Sequence, residues 1–375
     1  MRMTLTWPDA KNVLCIRLDN MGDVLMTTPA LRALKCSAPG RQLTLLTSPS
    51  GALLEPYLPD VDRVMAYDAP WVKNTSNDVI ADEGIIRTVR DEAFDAAVIF
   101  TVYSQSPLAA ALVCRLAGIP LTLAHCRENP YLLVSHWVRE PEPGRLRHEA
   151  RRQLDLVAEV GAFNPDPRMR FITRAGDRCN LYAKLAHVGL TSGDRWIVAH
   201  CGATAPSRRY PPESFARAFQ YIGRRAGLIV LTGDRTEQDL VRHIHKMSGQ
   251  EAPLIDLAGE LSLGELACLI EDAALLLSNN TGPVHIAAAV GTPVVDLYAL
   301  TNPQHTPWMV PHRVLYHDVP CKYCYRSVCP EKHHACLRGV APEAVGDAVL
   351  DVLTRPRQPS SARVFELSEQ EGTAC

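Results

Sequence analysis

The 375 residues are 47% hydrophobic and 21% charged with a formal net charge of −2, the balance of a folded chain long enough for two domains with cores of their own. So even a charge balance gives no polyanion signal, so nucleic acid is not an expected partner, and no apolar run reaches the roughly 18 residues of a membrane span. The first ten residues lack the basic start and apolar core of a secretory leader, so a cytoplasmic location is expected. Most of the twelve cysteines are expected to be reduced, because Cys15, Cys36, Cys114, Cys201 and Cys268 lie singly in apolar or helical contexts.

Along the chain, "NVLCIRL" (12–18) predicts a strand, "TTPALRALKCSAP" (27–39) a helix, and "QLTLLTS" (42–48) and "DAAVIF" (95–100) further strands. Such alternation predicts a parallel sheet covered by helices. A Pro/Gly-rich start followed by a helix in "REPEPGRLRHEARRQLDLVAEVG", then the turn residues of "NPDPRMRF", place a connection near residue 170. A second cycle runs through strands "RWIVAHC" (195–201), "LIVLTG" (228–233), "APLIDLAG", "ALLLSNN" and "PVVDLYA" (293–299), with helical segments between. The expected architecture is α/β: two Rossmann-like doubly wound domains, 1–170 and 171–354, facing a central cleft, then a polar tail, 355–375, that reads as disordered. Ligands of such sheets bind outside the carboxyl ends of the strands, so the loops after strands carry the candidate chemistry.

After the first strand, Asn20, Gly22 and Asp23 are expected in the turn and Thr27, Thr28 and Pro29 early in the next helix. Gly22 permits close backbone approach; the Asp23 carboxylate can take a proton from a sugar hydroxyl, or it can simply cap the helix. After "WIVAHC", Gly202, Ala203 and Thr204 are small enough for backbone N–H groups to meet an anion, and Arg208 or Arg209 can fork onto phosphate oxygens. A solvated basic turn explains the same residues. Past "LIVLTG", Glu237 can accept from a ribose diol, although a capping box with Asp234 is the simpler account. Finally Asn279, Asn280, Thr281 and Gly282 lead into a helix with Pro283 in its first turn, where unpaired amides favour an anion. His285 follows, either as a satisfied structural histidine or as an imidazole beside that anion.

Together, "RLDNMGDVLMTTPALRALK", "RRYPPESFARAF" and "SNNTGPVHIAAAVGTPVVDLYALTNPQHTPW" resemble, in order and separation over some 330 residues, glycosyltransferase family 9, the family of lipopolysaccharide heptosyltransferases. The resemblance implies a GT-B fold, an ADP-heptose donor, an anionic glycolipid acceptor presented at the inner membrane surface, and inversion at the anomeric carbon without a catalytic metal or other cofactor. It also implies that Asp23 is the catalytic base, that Thr204 and Arg208 contact phosphate, that Glu237 lies near the ribose, and that Thr281, Gly282 and His285 form the Thr-Gly-x-x-His motif at the diphosphate. One departure stands out: many relatives carry Asp before that Thr-Gly, where this chain has Asn280. The change removes an acceptor-only group that could hold a sugar hydroxyl or fix a lysine, and so bears on donor identity. Rival readings are a same-fold transferase for another nucleotide sugar, a nucleotide-sugar epimerase, against which the Asp23 turn argues, and a non-catalytic nucleotide-sugar binding protein.

Two further stretches bear on partners. "CKYCYRSVCPEKHHAC" sets Cys321, Cys324, Cys329 and Cys336 as C-x2-C-x4-C-x6-C around His333 and His334. Four thiolates can hold zinc, but the spacing is not that of two knuckles, and a loop of reduced thiols is the favoured reading. Arg145, Arg147, His148, Arg151 and Arg152 form either a solvated helix face or a contact for acceptor phosphates and the membrane that presents them.

Overall fold

The computed structural model describes residues 5–72, 78–140, 147–191 and 193–354; Arg145 and the tail from 355 lie outside these. The chain divides into two compact units, Met1–Ile172 with Asn302–Trp308, and Thr173–Thr301 with Met309–Cys375. The late segment 302–308 thus belongs to the first unit, a return that no sequence signal announced.

The first unit contains β1 (Asn12–Arg17), α1 (Met21–Cys36), β2 (Gln42–Thr47), α2 (Pro49–Ala52), β3 (Arg63–Ala66), α3 (Val79–Asp91), β4 (Ala96–Ile99), α4 (Leu108–Ala117), β5 (Leu121–Cys126), β6 (His136–Arg139) and α5 (Glu149–Ala158). The sheet is all parallel in the order β3-β2-β1-β4-β5-β6. β1 and β4 are central, and all of β4 is buried, which is why they read as unbroken apolar runs. One layer of core gathers Leu14, Ile16, Leu46, Phe94 and Ile99 beneath α3 and α4.

α1 begins six residues before its expected start, so Asp23 sits in its first turn and not in the preceding loop. Local chemistry explains the early start: Asp23 Oδ2 reaches back to accept from the Asn20 N–H at 3.1 Å, satisfying an end donor. Pro29 lies inside the helix without breaking it. The Leu25 carbonyl, which a residue with an N–H at 29 would have bonded, accepts from the Thr28 hydroxyl at 2.7 Å.

The second unit contains α6 (Ala175–His187), β7 (Trp196–His200), α7 (Pro212–Ile222), β8 (Leu228–Thr232), α8 (Gln238–Ser248), β9 (Leu254–Asp256), α9 (Leu263–Asp272), β10 (Leu276–Asn279), α10 (Gly282–Val290), β11 (Val294–Leu297), β12 (His312–Leu315), α11 (Ala335–Arg338) and α12 (Pro342–Thr354). Its parallel sheet, β12-β11-β10-β7-β8-β9, repeats the topology of the first. Phe215, Phe219, Ile229, Leu231, Val349 and Val352 build its main core. In each sheet the strand order reverses once, between β1 and β4 and between β7 and β10, and these switch points are where an open α/β sheet leaves a crevice. Among the described residues no helix is long and apolar enough to cross a membrane.

Candidate functional site

At the first switch point the organising residue is Arg17, the last residue of β1 and fully buried. Its guanidinium meets three carboxylates: Asp19 at 3.1 Å, Asp23 at 3.3 Å and Glu149 at 2.9 Å. Burial pulls against its charge, but Asp19, Glu149 and Asp23 together outweigh that and hold it protonated. Burial likewise works against the Glu149 carboxylate, yet Arg152, Arg17 and His305 overcome it and bring its pKa down to about 2. Asp19 goes the other way: burial lifts it to about 6 against the pull of Arg17.

Asp23 keeps 11% of its side chain exposed. One oxygen is turned to Arg17, and His305 Nε2 lies 4.0 Å from that same oxygen; the other caps the helix start. One carboxylate therefore both caps the helix and pairs with Arg17. Gly22, in the same turn, is buried. His305 is placed by the returning segment. The Glu149 N–H donates to the Gln304 carbonyl at 2.9 Å, the His148 ring stacks on Trp308 at 4.3 Å, and the Trp308 indole N–H donates to the Pro167 carbonyl at 2.7 Å.

Sequence reasoning missed Arg17, Glu149 and His305. One signal was available: a lone arginine in an apolar strand has to be buried with partners. The basic run after residue 144 needs correction, since it is not a free cationic face. Arg152 is buried, pairing with Glu140 at 2.5 Å and Glu149 at 3.6 Å; Arg147 pairs with Asp155 and Glu140. Arg151 is exposed and bound to Asp155 at 2.8 Å.

At the second switch point, buried Asn279 ties the two loops together. Its amide donates to the carbonyls of Cys201 (2.7 Å) and Gly202 (3.1 Å), and its oxygen accepts from the Tyr210 N–H at 3.0 Å. Thr204 is exposed and Arg208 half-buried, the latter with Nη1 3.5 Å from the Asn280 carbonyl. Arg209 is spent on its own loop, donating to the Ala203 carbonyl at 2.7 Å. Thr281 is the N-cap residue of α10 and makes no side-chain cap bond; Gly282 opens the helix and His285 lies in its first turn, 5% exposed. A helix start of this kind offers amide donors and a positive dipole end to an anion.

Asn280 is buried, its amide donating to Asp296 Oδ2 at 2.9 Å. A carboxyl group is therefore present beneath this loop, supplied by β11 in place of position 280. Complete burial lifts Asp296 to about 8, although Asn280 and Arg208 pull it down. Glu237 forms the capping box with Asp234, bonding its N–H at 3.0 Å, and lies 3.7 Å from His200 Nε2. Its carboxylate rests on Gly202, where a Cβ would fall 1.9 Å from Oε1. That glycine is required by the glutamate.

Among the described residues no group of three or more His, Cys, Asp or Glu is arranged to hold a metal ion. In the cysteine-rich segment Cys321 Sγ lies 3.7 Å from His333 Nε2. The segment buttresses the loop after β7: Ser207 donates through its N–H to the Ser327 carbonyl at 3.1 Å and through its hydroxyl to that of Arg326 at 2.9 Å.

Two doubly wound units in one chain, each with polar loops at its switch point, are the make-up of the GT-B class of glycosyltransferases. The chain belongs to glycosyltransferase family 9 (heptosyltransferase), whose family model matches residues 84–335. It is 25% identical over 168 residues to lipooligosaccharide heptosyltransferase 2 of Campylobacter jejuni, a match covering 44% of this chain and 53% of that one, so it spans about half the length of that curated relative. Among solved structures, the glycosyltransferase of family 9 from Veillonella parvula superposes with a TM-score of 0.77 at 23% identity, covering 94% of this chain and 98% of that one. The ADP-heptose lipopolysaccharide heptosyltransferase II of E. coli gives 0.71 at 21% identity, over 91% and 98%. These likenesses establish the shared fold.

Proposed function

We propose that the chain is an inverting, metal-independent glycosyltransferase that moves a heptose or related sugar from an ADP-activated donor to a lipopolysaccharide core or similar glycan, working at the cytoplasmic face of the inner membrane. In this reading the first unit binds the acceptor and the second the nucleotide sugar. The observation that carries it is the second switch point. There the α10 start, with no side-chain cap from Thr281, adjoins the loop bearing Thr204 and Arg208, an arrangement suited to a diphosphate. Membership of the family and the ADP-heptose named for the E. coli neighbour support the donor.

Asp23 takes the proton from the acceptor hydroxyl as it attacks the anomeric carbon, and the nucleoside diphosphate departs from the opposite face. Arg17 orients that carboxylate through its 3.3 Å contact. Arg208, the amides at Thr281 and Gly282, and His285 stabilise the charge that grows on the leaving diphosphate, work that a metal does in other enzymes. Glu237 faces the ribose. Asp23→Asn is expected to lower transfer by about 10²–10⁴ while leaving ADP affinity within a factor of two or so of wild type. ADP release from ADP-heptose, with a lipopolysaccharide core glycan as acceptor, measures the first; calorimetric titration measures the second. Transfer that survives Asp23→Asn would refute the assignment. Asn280 with Asp296 beneath it favours testing other nucleotide sugars alongside, since the residue before the Thr-Gly differs from that of many relatives.

A further inference from the structure

A pocket of about 370 Å³ opens in the first unit at its own switch point, between the carboxyl ends of β1 and β4. Two loops without readable side-chain code at the sequence level meet there: Trp71 from the segment after β3, and Ser104, Gln105 and Ser106 from the segment after β4. Its volume lies at the small end of the ~300–1,000 Å³ typical of small-molecule sites.

The lining is of two kinds. One wall is the indole of Trp71, 38% exposed, whose position is set by an edge contact with buried Tyr67 at 5.7 Å; Tyr67 is in turn fixed by its hydroxyl, which donates to Asp82 at 2.7 Å. The other is polar and prearranged. Gln105 Nε2 donates to Asp19 Oδ1 at 2.6 Å, while the other Asp19 oxygen pairs with Arg17 Nε at 3.1 Å. Among the described lining residues none is basic. Asp19 and Asp23 sit on two nitrogens of one guanidinium, so the pocket floor adjoins the carboxylate assigned as base.

A flat aromatic face sharing the pocket with a carboxylate and an amide suits a ring with apolar C–H faces and a rim of hydroxyls. The one guanidinium behind the floor, Arg17, is shared among Asp19, Asp23 and Glu149, so a carboxylate or phosphate on such a ring would meet net negative charge there, and no basic residue among the described lining residues offsets it. Resting on the transferase reading above, we infer that this pocket seats a neutral pyranose ring of the acceptor, and that the acidic groups of an anionic glycolipid remain outside it.

The test uses the full chain and a pair of probes that differ by one charge, methyl β-glucopyranoside and methyl β-glucuronopyranoside, titrated by saturation-transfer NMR. The glucoside is expected to bind at least about tenfold more tightly than the glucuronide, the worth of one well-placed contact. Trp71→Ala should weaken the glucoside by a similar factor, about tenfold. Trp71→Phe, which keeps a ring and guards against a merely misfolded variant, should retain most of the affinity. Asp19→Asn should narrow the gap between the two probes. A glucuronide that binds as well as the glucoside, or a glucoside affinity indifferent to Trp71→Ala, would overturn the assignment. ADP titration separates the two readings. A chain that binds the glucoside as expected but takes no ADP fails as a nucleotide-sugar transferase, and with it falls the identification of the ring as an acceptor. A chain that binds ADP but no neutral glycoside refutes the pocket alone.

Discussion

Asp296 offers a test of how the donor loop is built. It is fully buried on β11, and one oxygen accepts from the Asn280 amide at 2.9 Å. With its pKa lifted from 3.8 to about 8 by burial, the folded chain holds a proton here that the unfolded chain releases. The stabilisation is therefore whole below about pH 4 and is lost as pH rises toward 8. Each unit in that window is worth about 1.4 kcal/mol, so the three units from pH 5 to 8 amount to at most ~4 kcal/mol. Asp296→Asn keeps an oxygen for Asn280 and removes the titration. Urea unfolding of both proteins at pH 5, 6.5 and 8 should show the variant gaining on wild type by up to ~4 kcal/mol across the series. ADP affinity should fall above pH 8 in wild type alone, as a negative charge appears beneath the loop. A wild-type-to-variant difference that is flat between pH 5 and 8 would refute the buried neutral carboxyl.

The remaining expectations concern the same two switch points. Arg17→Met removes the cation shared by Asp19, Asp23 and Glu149, leaving Glu149 to Arg152, and should cost about 3–5 kcal/mol in thermal or urea unfolding; a loss under about 1 kcal/mol would contradict the network. Addition of Glu149→Gln should restore part of the loss. Arg208→Ala should lower the turnover number by about 10²–10³ with little change in melting temperature, and an unaltered rate would remove it from the leaving-group site. Gly202→Ala drives a methyl into Glu237 Oε1, which a flexible side chain can evade by releasing the Asp234 N–H. The expected cost is about 1 kcal/mol of stability together with weaker ADP binding. If Glu237→Ala does not suppress that stability loss, the clash is elsewhere.

The buried charges of the first unit have a functional logic that a hydrophobic substitute would lack. Replacing such a network by apolar side chains is often neutral or stabilising, so its presence at the switch point points to a role beyond stability. Arg17 fixes one carboxylate in each of three directions, and His305 arrives beside Asp23 on a segment anchored by Gln304, His148 and Trp308. These contacts define the orientation of the proposed base while the same carboxylate caps α1.

What the chain determined locally was the sequence of elements and the places where chemistry could sit. The central strands β1, β4, β7, β8, β10 and β11 were legible because burial on both faces leaves continuous apolar runs, and the β10–α10 turn because helix starts require small residues, a proline or a capping group. The edge strands β3, β6 and β12 were not legible, since they are only partly buried and their residues are mixed; β5 is buried, but Thr122 and His125 inside it interrupt its apolar run. Tertiary structure alone decided which polar residues meet. Arg17 and Glu149 are 132 positions apart, Asn280 finds its carboxyl 16 residues on in the neighbouring strand, and His305 reaches Asp23 only because 302–308 folds with the first unit. Periodicity records the face a residue turns to the core, a short-range property, whereas the cost of burying a charge is relieved by whichever partner the folded chain brings within a few ångströms.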